Sequence, residues 1–161
     1  VNLPFSELAI KGVLLARVQI YTDHRGWLIE TFRADWLKNP DGLPVMGYVA
    51  MTLPGVIRGP HEHRFQTDWF AFLGPSDFQI FLWDNRQSSV SFNTHLQLQL
   101  GEKEPALLIV PPGVVHAYKN IGVKPGLVYN YPNQLYRGNN RTEEPDEIRY
   151  ETDPQKRFLI E

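Results

Sequence analysis

The chain contains no cysteine. That excludes disulfides, thiol nucleophiles, iron–sulfur clusters and zinc sites built on thiolates, and it agrees with a reducing compartment. Runs of one charge sign are missing as well. Sixteen Lys and Arg face eighteen Asp and Glu, for a net charge of -2, which argues against a nucleic-acid groove or a polybasic membrane patch. No apolar run approaches the roughly 20 residues of a membrane-spanning helix. The opening VNLPFSELAIKG lacks the basic stretch and apolar core of a secretion signal. A cytoplasmic protein without a nucleic-acid or membrane partner is expected. Helical periodicity is scarce too, since only 33–38 (RADWLK) reads as a short helix.

What is present is apolar bulk and punctuation. Of 161 residues, 42% are hydrophobic and 12% aromatic, enough for one domain with a sizeable core. Thirteen Pro and twelve Gly separate short stretches rich in Val, Ile, Leu, Phe and Tyr, the pattern of an all-β sandwich or barrel. Strands are predicted at 12–20, 27–32, 45–53, 69–73, 78–83, 95–100, 106–110, 114–120 and 126–131. In 95–100, Leu96, Leu98 and Leu100 face one way while His95, Gln97 and Gln99 face the other. The whole of 1–161 is read as a single domain, with 1–20 an N-terminal strand arm and 137–161 a polar C-terminal segment of short helix or coil. Within that segment Ile148, Tyr150 and 158–160 are the residues that would dock it.

Two constellations can carry chemistry. In the first, Gly55 precedes Arg58, Pro60, His61 and His63, with Gln66, Asp68 and Gly74 following. On a strand, His61 and His63 share a face, so the pair can bind a metal, act as base and partner, or simply be hydrogen-bonded within a barrel. In the second, the turn Pro111-Pro112-Gly113 leads into a strand carrying His116, Tyr118 and Asn120. Together these stretches resemble the two short cupin motifs, with Gln66 or Asp68 where the usual glutamate stands. That resemblance implies a jelly-roll barrel, a double-stranded β-helix with its site in the barrel mouth.

A closer resemblance spans residues 12–154. Asp23-His24-Arg25-Gly26 leading to Glu30 and Phe32, Gly55-Val-Ile-Arg58-Gly59-Pro60-His61, Asp84 to Phe92, Val110 to Tyr118, Tyr129 with Tyr136 seven residues later, and Tyr150-Glu-Thr-Asp153-Pro154 are similar in order to stretches of the dTDP-4-dehydrorhamnose 3,5-epimerase family. The resemblance implies a cofactor-independent isomerase of a nucleotide-linked 4-keto-6-deoxy sugar, which removes protons α to the C4 ketone. Such chemistry needs a base, a proton donor on the opposite face and a donor for the enolate oxygen. By the same resemblance His61 is the base, Asp153 its dyad partner and Tyr129 the acid. Arg25 and Arg58 pair with the diphosphate, Glu30 contacts the nucleotide or fixes an arginine, and His63, His116 and Tyr136 line the substrate pocket. The run Asp84 to Ser89 ties a loop together. A homodimer is implied, with an N-terminal strand extending the partner's sheet and Arg25 reaching across.

The chain departs from that family at three places. Where the family carries a lysine it reads Gln66-Thr67-Asp68-Trp69, where the family has glutamine it has His63, and Pro60 precedes the base. Two alternatives follow. One is a metal-dependent cupin enzyme holding a divalent transition metal through His61, His63 and His116 with Gln66 or Asp68. The other is a non-catalytic cupin that binds a sugar or nucleotide sugar.

Overall fold

A computed structural model describes residues 5–37, 42–155 and 157–160. Among them run thirteen strands: β1 (Ser6–Glu7), β2 (Leu14–Arg17), β3 (Ile20–Asp23), β4 (Gly26–Ile29), β5 (Tyr48–Thr52), β6 (Ile57–Glu62), β7 (Asp68–Gly74), β8 (Asp77–Asp84), β9 (His95–Gly101), β10 (Ala106–Val110), β11 (Val114–Asn120), β12 (Gly126–Asn130) and β13 (Ile148–Arg149). A six-stranded sheet has the order β1-β2-β10-β7-β12-β5, and a five-stranded sheet the order β13-β6-β11-β8-β9. The hairpin β3-β4 stands apart. This is the all-β barrel expected from the sequence.

The alternation of side chains decides what fills the barrel. Phe70 and Phe72 of β7 point inward, where they meet Phe78 and Ile80 of β8, Leu108 of β10 and Tyr118 of β11. Their neighbours Trp69 and Ala71 point outward into a second cluster with Leu107, Ile109 and Trp36. Trp69 stacks on Trp36 and is met edge-on by Phe5 and Phe32. Strand β7 is apolar on both faces because both of its faces are covered. By contrast, β9 is covered on one face only, and its leucines face in as predicted.

Several local expectations need correction. The stretch 12–20 is not one strand: β2 ends at Arg17 and the hairpin begins at Ile20. The helix expected at 33–38 is a single 3-10 turn, Ala34–Trp36, and Lys38 lies outside the described residues. Strands β6 and β13 were not foreseen, because their sequences are interrupted by Gly and Pro or are only two residues long. Of the N-terminal arm, residues 1–4 lie outside the described ones, and β1 pairs with β2 of its own chain. Of the C-terminal segment, residues 156 and 161 lie outside them. The remainder of that segment contains a 3-10 turn, Asn139–Arg141, and docks through β13 and Tyr150. Tyr150 is buried, donates its hydroxyl to Glu62, and packs against Phe158.

Candidate active site in the barrel mouth

The register of β6 on β11 sets His61 directly opposite His116, so their ring centroids are 4.4 Å apart. His63, two residues further on, returns to the same side, 5.7 Å from His61 and 5.9 Å from His116. Glu62 between them points away and receives Tyr150 and Asn85. The close approach of the two strands requires a glycine. Gly59 has φ +89°, and a Cβ there would lie 2.6 Å from the His116 carbonyl oxygen.

Each imidazole is fixed by its surroundings. His116 Nδ1 lies 3.0 Å from the Val114 carbonyl oxygen, and His63 Nδ1 contacts that of Asp146. A carbonyl only accepts, so both Nδ1 atoms carry the proton. Their Nε2 atoms lie 3.3 Å and 3.2 Å from Asp68 Oδ2. Asp68 is fully buried, and its Oδ1 accepts from Gln66 and Asn130. Burial alone would raise its pKa. The hydrogen bonds and charges of His116 and His63 outweigh that and hold it well below the usual carboxylate range. For His63, burial opposes the charged form, but Asp68 outweighs it and the pKa is raised. His61 goes the other way: burial, reinforced by the neighbouring His116, pushes it down to about 2. At neutral pH His61 is therefore an uncharged imidazole with a lone pair.

These residues form the floor of a cavity of about 560 Å3. His61, His63, Gln66, Phe70 and Tyr118 line it, with His116 and Asp68 buried one layer behind. Arg58 lines a wall, held by Thr52 Oγ1 at 2.9 Å and the Met51 carbonyl at 2.8 Å. The C-terminal segment supplies the rim through Tyr136, Arg137, Arg141, Glu147 and Arg149. With Arg58, three rim arginines give the cavity a guanidinium lining suited to phosphate oxygens.

Not every residue singled out from the sequence arrives here. Tyr129 is paired with Ala71 and packs with the outer cluster around Trp69. Strand alternation turns its neighbour Asn130 inward instead, so the carry-over of the acid to Tyr129 fails on geometry. Asp153 is ion-paired with Arg157 at 2.8 Å and makes no ion pair with His61 among the described residues. The carboxylate that faces His61 is Glu147, 3.8 Å from Nδ1. Arg25 and Glu30 sit on the β3-β4 hairpin and beside it, pair with Asp23 and Arg33, and do not line this cavity. The run from Asp84 does tie a loop together, with Arg86, Ser89 and Ser91 all donating to the Asp84 carboxylate.

Other residues of the site had escaped the sequence reading. Glu147 and Arg149 reach the cavity because β13 pairs with β6, setting Arg149 opposite His61. Their only local signal is the alternation Glu147, Ile148, Arg149, Tyr150. The carboxylate of Asp146 accepts from the backbone amides of Arg64, Phe65 and Gln66, closing the turn after the histidines from eighty residues away.

A two-sheet β barrel with histidines converging in its mouth defines a cupin-like jelly roll. The chain belongs to the dTDP-4-dehydrorhamnose 3,5-epimerase family, whose profile matches residues 7–152, and it is an enzyme of the epimerase and isomerase class. It is 34% identical to the probable low-salt glycan biosynthesis epimerase Agl13 of Haloferax volcanii, over 87% of this chain and 86% of that one. It is 31% identical to the spore coat polysaccharide biosynthesis protein SpsL of Bacillus subtilis, over 87% and 88%. The dTDP sugar isomerase of Desulfovibrio desulfuricans shares the fold with a TM-score of 0.81 at 22% identity, covering 93% of this chain and 90% of that one. No helix among the described residues is long and apolar enough to cross a membrane.

Proposed function

We propose that the chain epimerises or isomerises a nucleotide-linked 4-keto-6-deoxy sugar, with His61 removing a proton α to the C4 ketone. One observation carries this reading: an uncharged, desolvated imidazole opens into a cavity whose wall and rim bear Arg58, Arg137, Arg141 and Arg149. The arginines take the diphosphate, and His61 is left to face the sugar. Glu147, rather than Asp153, is the carboxylate placed to stabilise the imidazolium that forms. Tyr136 lines the cavity and makes no side-chain hydrogen bond among the described residues, so its hydroxyl is free to return the proton. The reaction requires no cofactor.

A cytoplasmic homodimer completes the proposal. The β3-β4 hairpin exposes Ile20, Tyr21, Trp27 and Leu28. A second copy covering it would bring Arg25 toward the neighbouring cavity, and sedimentation analysis of the wild type and of Arg25→Ala tests this arrangement.

The activity is tested by incubation with dTDP-4-keto-6-deoxyglucose in heavy water, following the sugar protons by NMR. Loss of the H3 or H5 signal, or of both, is expected. Retention of both would overturn the substrate assignment.

A further inference from the structure

Where the resembling family carries a lysine, this chain runs from Gln66 to Trp69, and Asp68 of that run is a buried carboxylate. A negative charge cannot stabilise an enolate, so the donor has to come from elsewhere. We infer that Tyr48 is a further catalytic residue, whose hydroxyl donates a hydrogen bond to the C4 oxygen of the sugar as that oxygen becomes an enolate. The inference rests on the epimerase reading and supplies the donor which that chemistry needs.

Strand pairing puts Tyr48 in place. It opens β5 and lies opposite Asn130 of β12, which in turn lies opposite Phe70 of β7. These strands belong to the six-stranded sheet, whereas His61 comes from the five-stranded one. Tyr48 and His61 both line the cavity. Base and hydroxyl therefore approach a bound sugar from the two sheets of the barrel.

The direction of the hydroxyl proton follows from the Asn130 amide. Its Oδ1 accepts the backbone N–H of Trp69 at 3.1 Å, which an amide nitrogen could not do. Its Nδ2 lies 2.7 Å from the Asp68 carboxylate, which only accepts, and 2.9 Å from the Tyr48 oxygen. Both amide protons are thus used, and the Tyr48 oxygen is an acceptor. Among the described residues that hydroxyl has no other hydrogen-bond partner, so its own proton is left for an oxygen in the cavity. The accepted bond also polarises the O–H and makes it a stronger donor.

The other neutral donors nearby are engaged. His63 faces Asp146 with one ring nitrogen and Asp68 with the other, and Gln66 donates to Asp68. Tyr118 is packed among Phe70, Phe72 and Phe78, with its hydroxyl bonded to Thr52. Tyr48 keeps its proton through the neutral range. Burial raises its pKa and Asp68 and Glu147 add to that, while the Asn130 hydrogen bond and Arg58 only partly oppose it.

The step balances without a further reactant. The C3 or C5 proton passes to His61, and the C–H electron pair becomes the new C=C bond to C4. The carbonyl π pair moves onto the C4 oxygen, to which Tyr48 donates without losing its proton. This hydrogen bond strengthens as charge develops, so it lowers the barrier more than it tightens binding.

The experiment uses the full-length enzyme with dTDP-4-keto-6-deoxyglucose in heavy water. Tyr48→Phe removes the hydroxyl and keeps the ring. Its kcat for loss of the H3 or H5 signal should fall about 10²–10³-fold, as loss of one oxyanion donor does. KM, and calorimetric binding of dTDP alone, should stay within about twofold. In case that variant does not fold, 3,5-difluorotyrosine at position 48 keeps the hydroxyl and lowers its pKa. The alkaline fall of kcat should then begin at lower pH, a shift that a purely structural role would not produce. Exchange by Tyr48→Phe within about twofold of the wild type would overturn the inference and leave the epimerase reading standing. An alkaline limb unmoved by fluorination would do the same. A wild type that retains both sugar signals would overturn the reading, and the inference with it.

Discussion

The floor and the rim of the cavity are built by opposite means. The floor comes from β6, β7, β11 and β12, where strand register sets His61 opposite His116 and buried bonds hold Asp68, Asn130 and the imidazoles. The rim comes from the polar C-terminal segment, anchored by a two-residue strand and the buried Tyr150. Arg137 and Arg141, both at positive φ, are carried on turns. The floor thus has its geometry imposed by the barrel, whereas the rim is a strap laid across it. The base belongs to the first, and the substrate-gripping arginines, with Tyr136 and Glu147, mostly to the second.

That division can be broken in order of effect. His61→Asn removes the lone pair on the floor and should lower proton exchange about 10²–10⁴-fold, read by NMR in heavy water, with the thermal midpoint barely moved. Arg141→Ala removes a grip on the rim. It should raise KM about 10–100-fold, the loss of a charge-assisted hydrogen bond, while kcat changes little. Gly59→Ala strikes the joint between β6 and β11, where a Cβ meets the His116 carbonyl oxygen and φ is positive. It should cost about 1–3 kcal/mol in urea unfolding and displace the histidines.

Acid titration separates the members of the floor. His61 has its pKa depressed, so below pH 6.5 the unfolded chain takes up a proton that the folded chain refuses. Stability then falls on acidification, at up to about 1.4 kcal/mol per pH unit. His63 is raised, so its contribution is complete below pH 6.5 and is lost as pH rises through its folded value. Unfolding free energy measured from pH 4.5 to 8 should therefore change slope in opposite senses in His61→Asn and His63→Gln. The smallest effect belongs to Tyr129→Phe. It lies on the outer cluster and should leave exchange within about twofold, against a clear loss for Tyr136→Phe; equal losses would return the acid to the outer face.

The legibility of the chain follows the same boundary. The all-β barrel could be read from short apolar stretches between Gly and Pro, and His61, His63 and His116 from two motifs whose spacing is fixed by strand alternation. Those signals are local, because register converts sequence spacing directly into position. Tyr129 was misplaced by one step of that alternation, which carries Asn130 rather than Tyr129 to Asp68. Glu147 and Asp146 were not visible because their places depend on a pairing across more than eighty residues. Asp153 resembled a dyad partner in its local motif, but Arg157 four residues on is the partner it meets.

The anchoring of the rim by Tyr150, Glu62 and Asn85 has a consequence for how such barrels diversify. The latch closes on the face of β6 opposite the histidines. Residues 137–145 can accordingly be rewritten as a cassette, with the latch, the barrel, Asp146 and Glu147 kept. Exchanging that cassette among relatives would move preference for one sugar nucleotide over another without touching the groups that handle protons, so selectivity and chemistry can evolve as separable modules on one chain.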